Sequence, residues 1–281
     1  MHVFQPEELI DKWLKEDIGD GDHTTLSTIP SEATGTASLL VKQEGRIAGV
    51  EIARMIFNRF DPRLTIETLL SDGTKITPGD IVLTVNGPAR SILQTERLVL
   101  NVMQRMSGIA TETARYVAAL EGTGTRILDT RKTTPGFRYM EKEAVKIGGG
   151  VNHRIGLYDM ILIKDNHIDF AGGIVSAIER AHTYLREKSL DLEIEVEARS
   201  LEDVRVILDN GMADRILLDN FSVEMTREAV KMINGRMITE SSGGITYEML
   251  REYAECGVDY ISAGALTHQV RSLDLSLKAV F

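Results

Sequence analysis

Seven ionisable side chains between residues 131 and 219 of this 281-residue chain could together hold an anion and a metal cation: Arg131, Lys132, His153, Arg154, Lys164, Glu197 and Asp219. Arg131 and Lys132 run into Thr133-Thr-Pro-Gly136, whose hydroxyls and turn-exposed backbone N–H groups complete an anion cradle. An arginine fork matches carboxylates and phosphates, and a lysine acts as a point charge. Gly148-Gly-Gly150 leads into Val151-Asn-His-Arg154, a permissive backbone that delivers His153 and Arg154 side by side, and three glycines rarely serve packing alone. Glu197 and Asp219 offer oxygen ligands, which with no paired cysteines and few histidines suit magnesium better than zinc. Ser241-Ser-Gly-Gly244 and Ala263-Gly-Ala-Leu-Thr267 place small residues where backbone amides and helix N-termini can hold a phosphate. The chemistry is that of a phosphorylated, carboxylate-bearing substrate handled with magnesium.

Apart from His153 and Arg154, which follow the three glycines, these groups lie at or just beyond the ends of short, β-branched-rich apolar runs at 126–129, 160–163, 194–197, 215–219, 237–240 and 260–264. From Glu197 to Asp219, Ser242 and Gly264 the steps are 22, 23 and 22 residues, each long enough for one strand, one helix and two short loops. That is the rhythm of an α/β barrel, in which polar residues at the carboxyl ends of parallel strands converge on one mouth. Glu193, Glu195 and Glu197 alternate, so they share one side of a strand and cannot all be buried without partners. Glu197, at the strand's end, is the best placed for function.

Before the barrel the pattern changes. Residues 5–17 read as a short helix, 35–47 as a strand, 52–60 as a helix, and 65–92 as several short strands joined by Asp-Gly, Pro-Gly and Gly-Pro turns. This makes a small α+β domain. A long helix over 92–122 carries a polar stripe of Gln94, Arg97, Asn101, Arg105 and Glu112, with Gly108 marking a break or a close backbone approach. The stripe's default partner is solvent, although two arginines eight residues apart could also meet an anion or a second subunit.

Composition narrows the partners. A net charge of −10 disfavours nucleic acid and anionic membranes, and no stretch approaches 18 apolar residues. An acidic amino terminus without a signal-peptide pattern and a single cysteine, Cys256, fit a soluble cytoplasmic protein in a reducing compartment. Within the acidic chain, residues 131–167 form a basic island. A solvated helix face accounts for its Lys142 and Lys146; steering of a small anion accounts for its loop cations.

Three stretches, Asp129-Thr-Arg-Lys-Thr-Thr-Pro-Gly-Phe-Arg138, Gly148-Gly-Gly-Val-Asn-His-Arg-Ile-Gly-Leu157 with Ile163-Lys-Asp-Asn-His-Ile168, and Glu240-Ser-Ser-Gly-Gly-Ile245, resemble the quinolinate phosphoribosyltransferases. Glu16-Asp-Ile-Gly-Asp-Gly-Asp-His-Thr-Thr25, Glu96-Arg97, Ser107-Gly-Ile-Ala110, Leu217-Leu-Asp-Asn-Phe221 and Gly264-Ala-Leu-Thr-His268 extend the resemblance over nearly the whole chain. It implies an incomplete parallel α/β barrel (residues 111–270) beside a smaller N-terminal α+β sandwich domain (1–110), with 271–281 returning to the latter. The implied reaction joins quinolinate to phosphoribosyl pyrophosphate with decarboxylation, giving nicotinate mononucleotide, pyrophosphate and carbon dioxide in NAD biosynthesis. By the same resemblance Arg131, His153, Arg154 and Lys164 surround quinolinate, joined by Arg97 from a neighbouring subunit of at least a dimer. Lys132, Glu197 and Asp219 serve catalysis, the two carboxylates at magnesium, and Lys132, Lys164, Ser242, Gly243, Gly264 and His268 meet phosphoribosyl pyrophosphate. Two other chemistries fit parts of the pattern: Lys164 as an aldolase's Schiff-base nucleophile, and a non-catalytic sensor of a sugar phosphate.

Overall fold

The computed structural model describes residues 6–280, which divide into two compact units, 6–114 with 134–149 and 269–280, and 115–133 with 150–268. No helix among the described residues is long and apolar enough to cross a membrane.

In the first unit, strands β1 (Thr34–Val41), β3 (Thr65–Thr68), β5 (Ile81–Pro88) and β12 (Leu275–Val280) form an antiparallel sheet in the order β12-β1-β5-β3. β2 (Gly45–Arg46) and β4 (Lys75–Ile76) pair separately. Alternation along β1 buries Ala37, Leu39 and Val41, and Leu39 faces Leu277 on one side and Leu83 on the other, so the carboxyl-terminal strand completes a core begun at residue 34. The helix Ala89–Ala119 starts three residues earlier than the sequence pattern suggests and runs through Gly108 without a break. The glycine is there for contact: a Cβ would strike the Arg271 carbonyl.

Residues 134–149, expected in the barrel domain, belong to this first unit. The cause is the helix Arg138–Ile147, whose buried Met140, Ala144 and Val145 pack inward while Glu141 pairs with Arg105. Gly148 follows, and a Cβ there would sit 2.6 Å from the Ala110 carbonyl oxygen. One of the three successive glycines is therefore a packing residue, whereas Gly149, at φ +94, serves the turn. Lys142, read as part of a solvated face, is buried; Lys146 is exposed and paired with Glu143.

The second unit is a parallel sheet of β6 (Arg126–Leu128), β7 (Ile161–Ile163), β8 (Ile194–Ala198), β9 (Arg215–Asp219), β10 (Ile238–Ser242) and β11 (Tyr260–Ser262). Its order, β6-β11-β10-β9-β8-β7, leaves β6 and β7 as unjoined edges, so the barrel stays open; an isolated bridge from Leu128 to Val151 extends the β6 edge. The intervening helices start under Ser200 and Ser222, whose side chains accept from the Asp203 and Met225 N–H groups. Val196, Ile216, Leu218 and Ile261 are fully buried. Register sets the other face: Glu197 pairs with Leu217, Glu240 with Leu217, and Ser242 with Asp219. Two-residue alternation then places Glu195, Glu197, Asp219, Glu240 and Ser242 on one side of the sheet.

Candidate active site

The β6 and β11 ends meet through backbone and glycine contacts. The Lys132 N–H donates to Thr130 Oγ1 at 3.0 Å, and its carbonyl accepts from Thr267 Oγ1 at 2.8 Å. A Cβ on Gly264 would lie 2.9 Å from Lys132 Cδ and 3.0 Å from the His268 ring. Lys132, Gly264 and His268 thus share one corner. Across the sheet Asn220, in the left-handed region at φ 56, donates its backbone N–H to the Ser242 carbonyl at 2.9 Å and its amide to Asp219 Oδ2 at 2.6 Å. Gly243 fits because a side chain there would collide with that amide. The sequence carried Asn220 only inside a motif; its role in tying β9 to β10 comes from an αL conformation that asparagine tolerates.

Glu197, 6% exposed, and Asp219 face each other closely enough to interact. Burial raises the Glu197 pKa, the Asp219 charge raises it further, and the Asp165 N–H at 3.3 Å and the nearby Lys164 oppose the shift. Two hard carboxylates that repel one another suit a divalent cation such as magnesium.

The cationic groups come from the β6 and β7 ends and the loop between them. Arg131, Lys132 and Lys164 are exposed and form no ion pair among the described residues. Arg154 is half-buried and donates to the Met160 carbonyl at 3.2 Å; burial lowers its pKa, and the charge of nearby Arg131 adds to the effect. Asp159 shapes this loop by accepting from the Ile155 and Gly156 N–H groups at 2.7 and 2.8 Å. Asp129, fully buried, accepts from the His153 N–H at 2.9 Å. The structure thus draws Arg131 towards Arg154, and Lys164 towards Glu197. Arg97 lies in the first unit, exposed on its helix, whereas Arg105 of the same stripe is committed to Glu141 and the Val270 carbonyl. That corrects the expectation that Arg105 faces solvent or a ligand.

His153, expected beside the substrate, has both ring nitrogens engaged within the protein. Nε2 lies 3.0 Å from Glu195 Oε2 and 3.3 Å from Glu240 Oε2, and Nδ1 accepts from the Arg154 N–H at 2.7 Å. Burial of the ring opposes a second proton, and hydrogen bonds to the two glutamates outweigh it, raising the imidazolium pKa to about 9. The Nδ1 contact argues against that form, because an N–H aimed at Nδ1 requires a lone pair there. The contact decides: the ring carries one proton, on Nε2, directed at the carboxylates. Burial raises the Glu195 pKa, with the Glu240 charge next and His153 opposing. Sequence reasoning passed over Glu195 and Glu240. The alternating glutamates and the run ending at Glu240 were visible, but strand-end position favoured Glu197, and β10 continues to Ser242.

Comparison with known proteins matches the chain as a whole to a family. Residues 22–107 match the quinolinate phosphoribosyl transferase N-terminal domain, and residues 109–278 match its C-terminal domain. The chain is 46% identical over 291 aligned positions to the chloroplastic nicotinate-nucleotide pyrophosphorylase [carboxylating] of Oryza sativa subsp. japonica, covering 98% of this chain and 78% of the rice protein. It is 42% identical over 277 positions to the probable nicotinate-nucleotide pyrophosphorylase [carboxylating] of Bacillus subtilis (strain 168), covering 99% and 94%. The crystal structure of NadC from Streptococcus pyogenes superimposes with a TM-score of 0.92 at 37% identity, covering 100% of both chains. The chain belongs to the quinolinate phosphoribosyltransferase (decarboxylating) family, which are pentosyltransferase enzymes.

Proposed function

We propose that the strand-end mouth of the second unit is where this enzyme transfers a phosphoribosyl group from phosphoribosyl pyrophosphate to quinolinate, releasing pyrophosphate and carbon dioxide and leaving nicotinate mononucleotide. One observation carries the placement: exposed Lys164, just past the end of β7, adjoins the Glu197 carboxylate, which in turn meets Asp219. Arg131, Arg154 and Lys164 hold the two quinolinate carboxylates by charge-assisted hydrogen bonds. Lys132, with Ser242, Gly243, Gly264 and His268, holds the phosphate groups.

Pyrophosphate leaves the anomeric carbon as positive charge develops on the sugar. Lys132 offsets the charge on the departing oxygens, and Glu197 and Asp219 favour the cationic ring. Glu197 and Asp219 would hold magnesium, which supplies further positive charge to the leaving group. Once the pyridine nitrogen is quaternised, its positive charge stabilises the electron pair left on the adjacent ring carbon as carbon dioxide departs, and a proton from solvent then takes up that pair, so the protein's task is to hold and orient. The decisive assay follows pyrophosphate and carbon dioxide release from quinolinate with nicotinate as control. Release from quinolinate alone is expected, and turnover with nicotinate would overturn the reading.

Exposed Arg97 completes the carboxylate half in a neighbouring copy, making a homodimer with shared sites. Arg97→Ala and Lys132→Ala proteins should each be inactive, and mixing them should restore about one intact site per heterodimer. No recovery after verified subunit exchange would refute sharing. The lone, buried Cys256 thiol accords with a cytoplasmic, reducing location.

A further inference from the structure

Glu195 and Glu240 are 0% and 2% exposed, yet among the described residues neither oxygen of Glu195 nor Oε2 of Glu240 has a hydrogen-bond partner apart from the ion-pair approach of the His153 ring. Buried carboxylates are costly when left unpaired. Both come from mid-strand positions on the same side of the sheet as Glu197 and Asp219. The contact they share is one ring nitrogen, His153 Nε2, and the opposite nitrogen of that ring accepts the Arg154 N–H. The ring therefore links the sheet interior to the loop that carries Arg154, and Asp129 fixes the preceding amide of that loop.

We propose that Glu195 and Glu240 are positioning residues for the transfer reaction: they hold His153 by Nε2, and His153, by Nδ1, fixes the Arg154 backbone beside Arg131. His153 then acts on quinolinate through Arg154 rather than by direct contact. The inference rests on the reading of Arg154 as a quinolinate ligand. What the ring needs from each glutamate is an acceptor oxygen, which a glutamine amide also provides.

The test has two arms. In protein labelled with ¹⁵N in its histidine rings, with His153→Asn identifying the signal, two-bond nitrogen–proton correlations at neutral pH should show Nε2 protonated and Nδ1 bare. Steady-state kinetics should show Glu195→Ala or Glu240→Ala raising KM for quinolinate about tenfold, the scale of one misplaced charge-assisted hydrogen bond, while KM for phosphoribosyl pyrophosphate stays within about twofold. Glu195→Gln or Glu240→Gln should recover most of that loss. A protonated Nδ1, glutamine variants as impaired as alanine ones, or both KM values rising together would each overturn the proposal. So would a stoichiometric transition metal in the purified protein that is lost in the glutamine variants. If an alanine variant does not fold, the wild-type spectrum and the glutamine kinetics still decide. Arg154→Ala separates the two readings: an unchanged quinolinate KM sinks the carboxylate pocket itself, and a raised one with wild-type Glu195→Ala kinetics sinks only the relay.

Discussion

Charges in the two units are treated in opposite ways. In the first unit Glu141, fully buried, accepts from Arg105 at 2.8 and 3.1 Å and from the Thr134 N–H and hydroxyl at 3.1 and 2.9 Å. Asp61 there accepts from Arg63 and from the Ser91 hydroxyl at 2.6 Å. Both carboxylates have their partners within the unit. At the mouth of the second unit Arg131, Lys132 and Lys164 have no ion pair among the described residues, and Glu197 faces Asp219, a like charge. Charges that stabilise a fold are neutralised within it, whereas charges meant for a ligand are held ready at some cost in stability.

The largest effect should come from the first unit. Glu141→Gln keeps the shape and removes the buried carboxylate charge that the Arg105 guanidinium, 23% exposed, pairs with; a loss of about 3 kcal/mol in urea unfolding is expected. A loss under about 0.5 kcal/mol, the range of an ordinary surface substitution, would break the contrast.

Arg131→Ala should invert that pattern. Removing a charge-assisted carboxylate contact should lower kcat/KM for quinolinate by about ten- to a hundredfold, with the melting temperature kept or slightly raised because the arginine's repulsion of Arg154 is relieved. Wild-type kinetics would rule out the pocket.

The smallest effect concerns acid. The Arg63 hydrogen bond holds Asp61 far below the ordinary carboxylate range, burial opposes it and Ser91 assists. A carboxylate depressed in the folded state contributes stability above its unfolded pKa near 4 and loses it as the pH falls through the folded value. Because Arg63 is 73% exposed, the contribution should be about 1 kcal/mol. Asp61→Asn should flatten the stability curve on acidifying below about pH 4; an unchanged acid limb would remove Asp61 from the account.

The strands were legible because parallel strands covered on both faces read as apolar runs, and their charged ends mark the mouth: Glu197, Asp219 and Lys164 all lie at or just past such ends. Partners distant in the chain were not legible. Arg97 and Arg105 look alike on one helical stripe, yet Arg105 is claimed by Glu141, 36 residues on, and by the Val270 carbonyl, 165 residues on. Lys142 looked solvated because its own helix gives no sign of what covers it. His153 and Arg154 are adjacent in sequence, and a side chain's direction in an irregular loop depends on glutamates from two other strands.

The most direct measurement of the divided mouth is Asp219→Asn, which keeps the shape and removes one carboxylate charge. Magnesium titrations of initial rate and calorimetry of quinolinate binding should be run on the variant and the wild type. Turnover should fall and the magnesium requirement rise, while quinolinate binding stays within about twofold, because its cationic ligands lie on other strand ends. Turnover that persists in excess chelator, or a variant that loses quinolinate binding and keeps its magnesium dependence, would contradict a mouth with one half for carboxylates and the other for metal and phosphate.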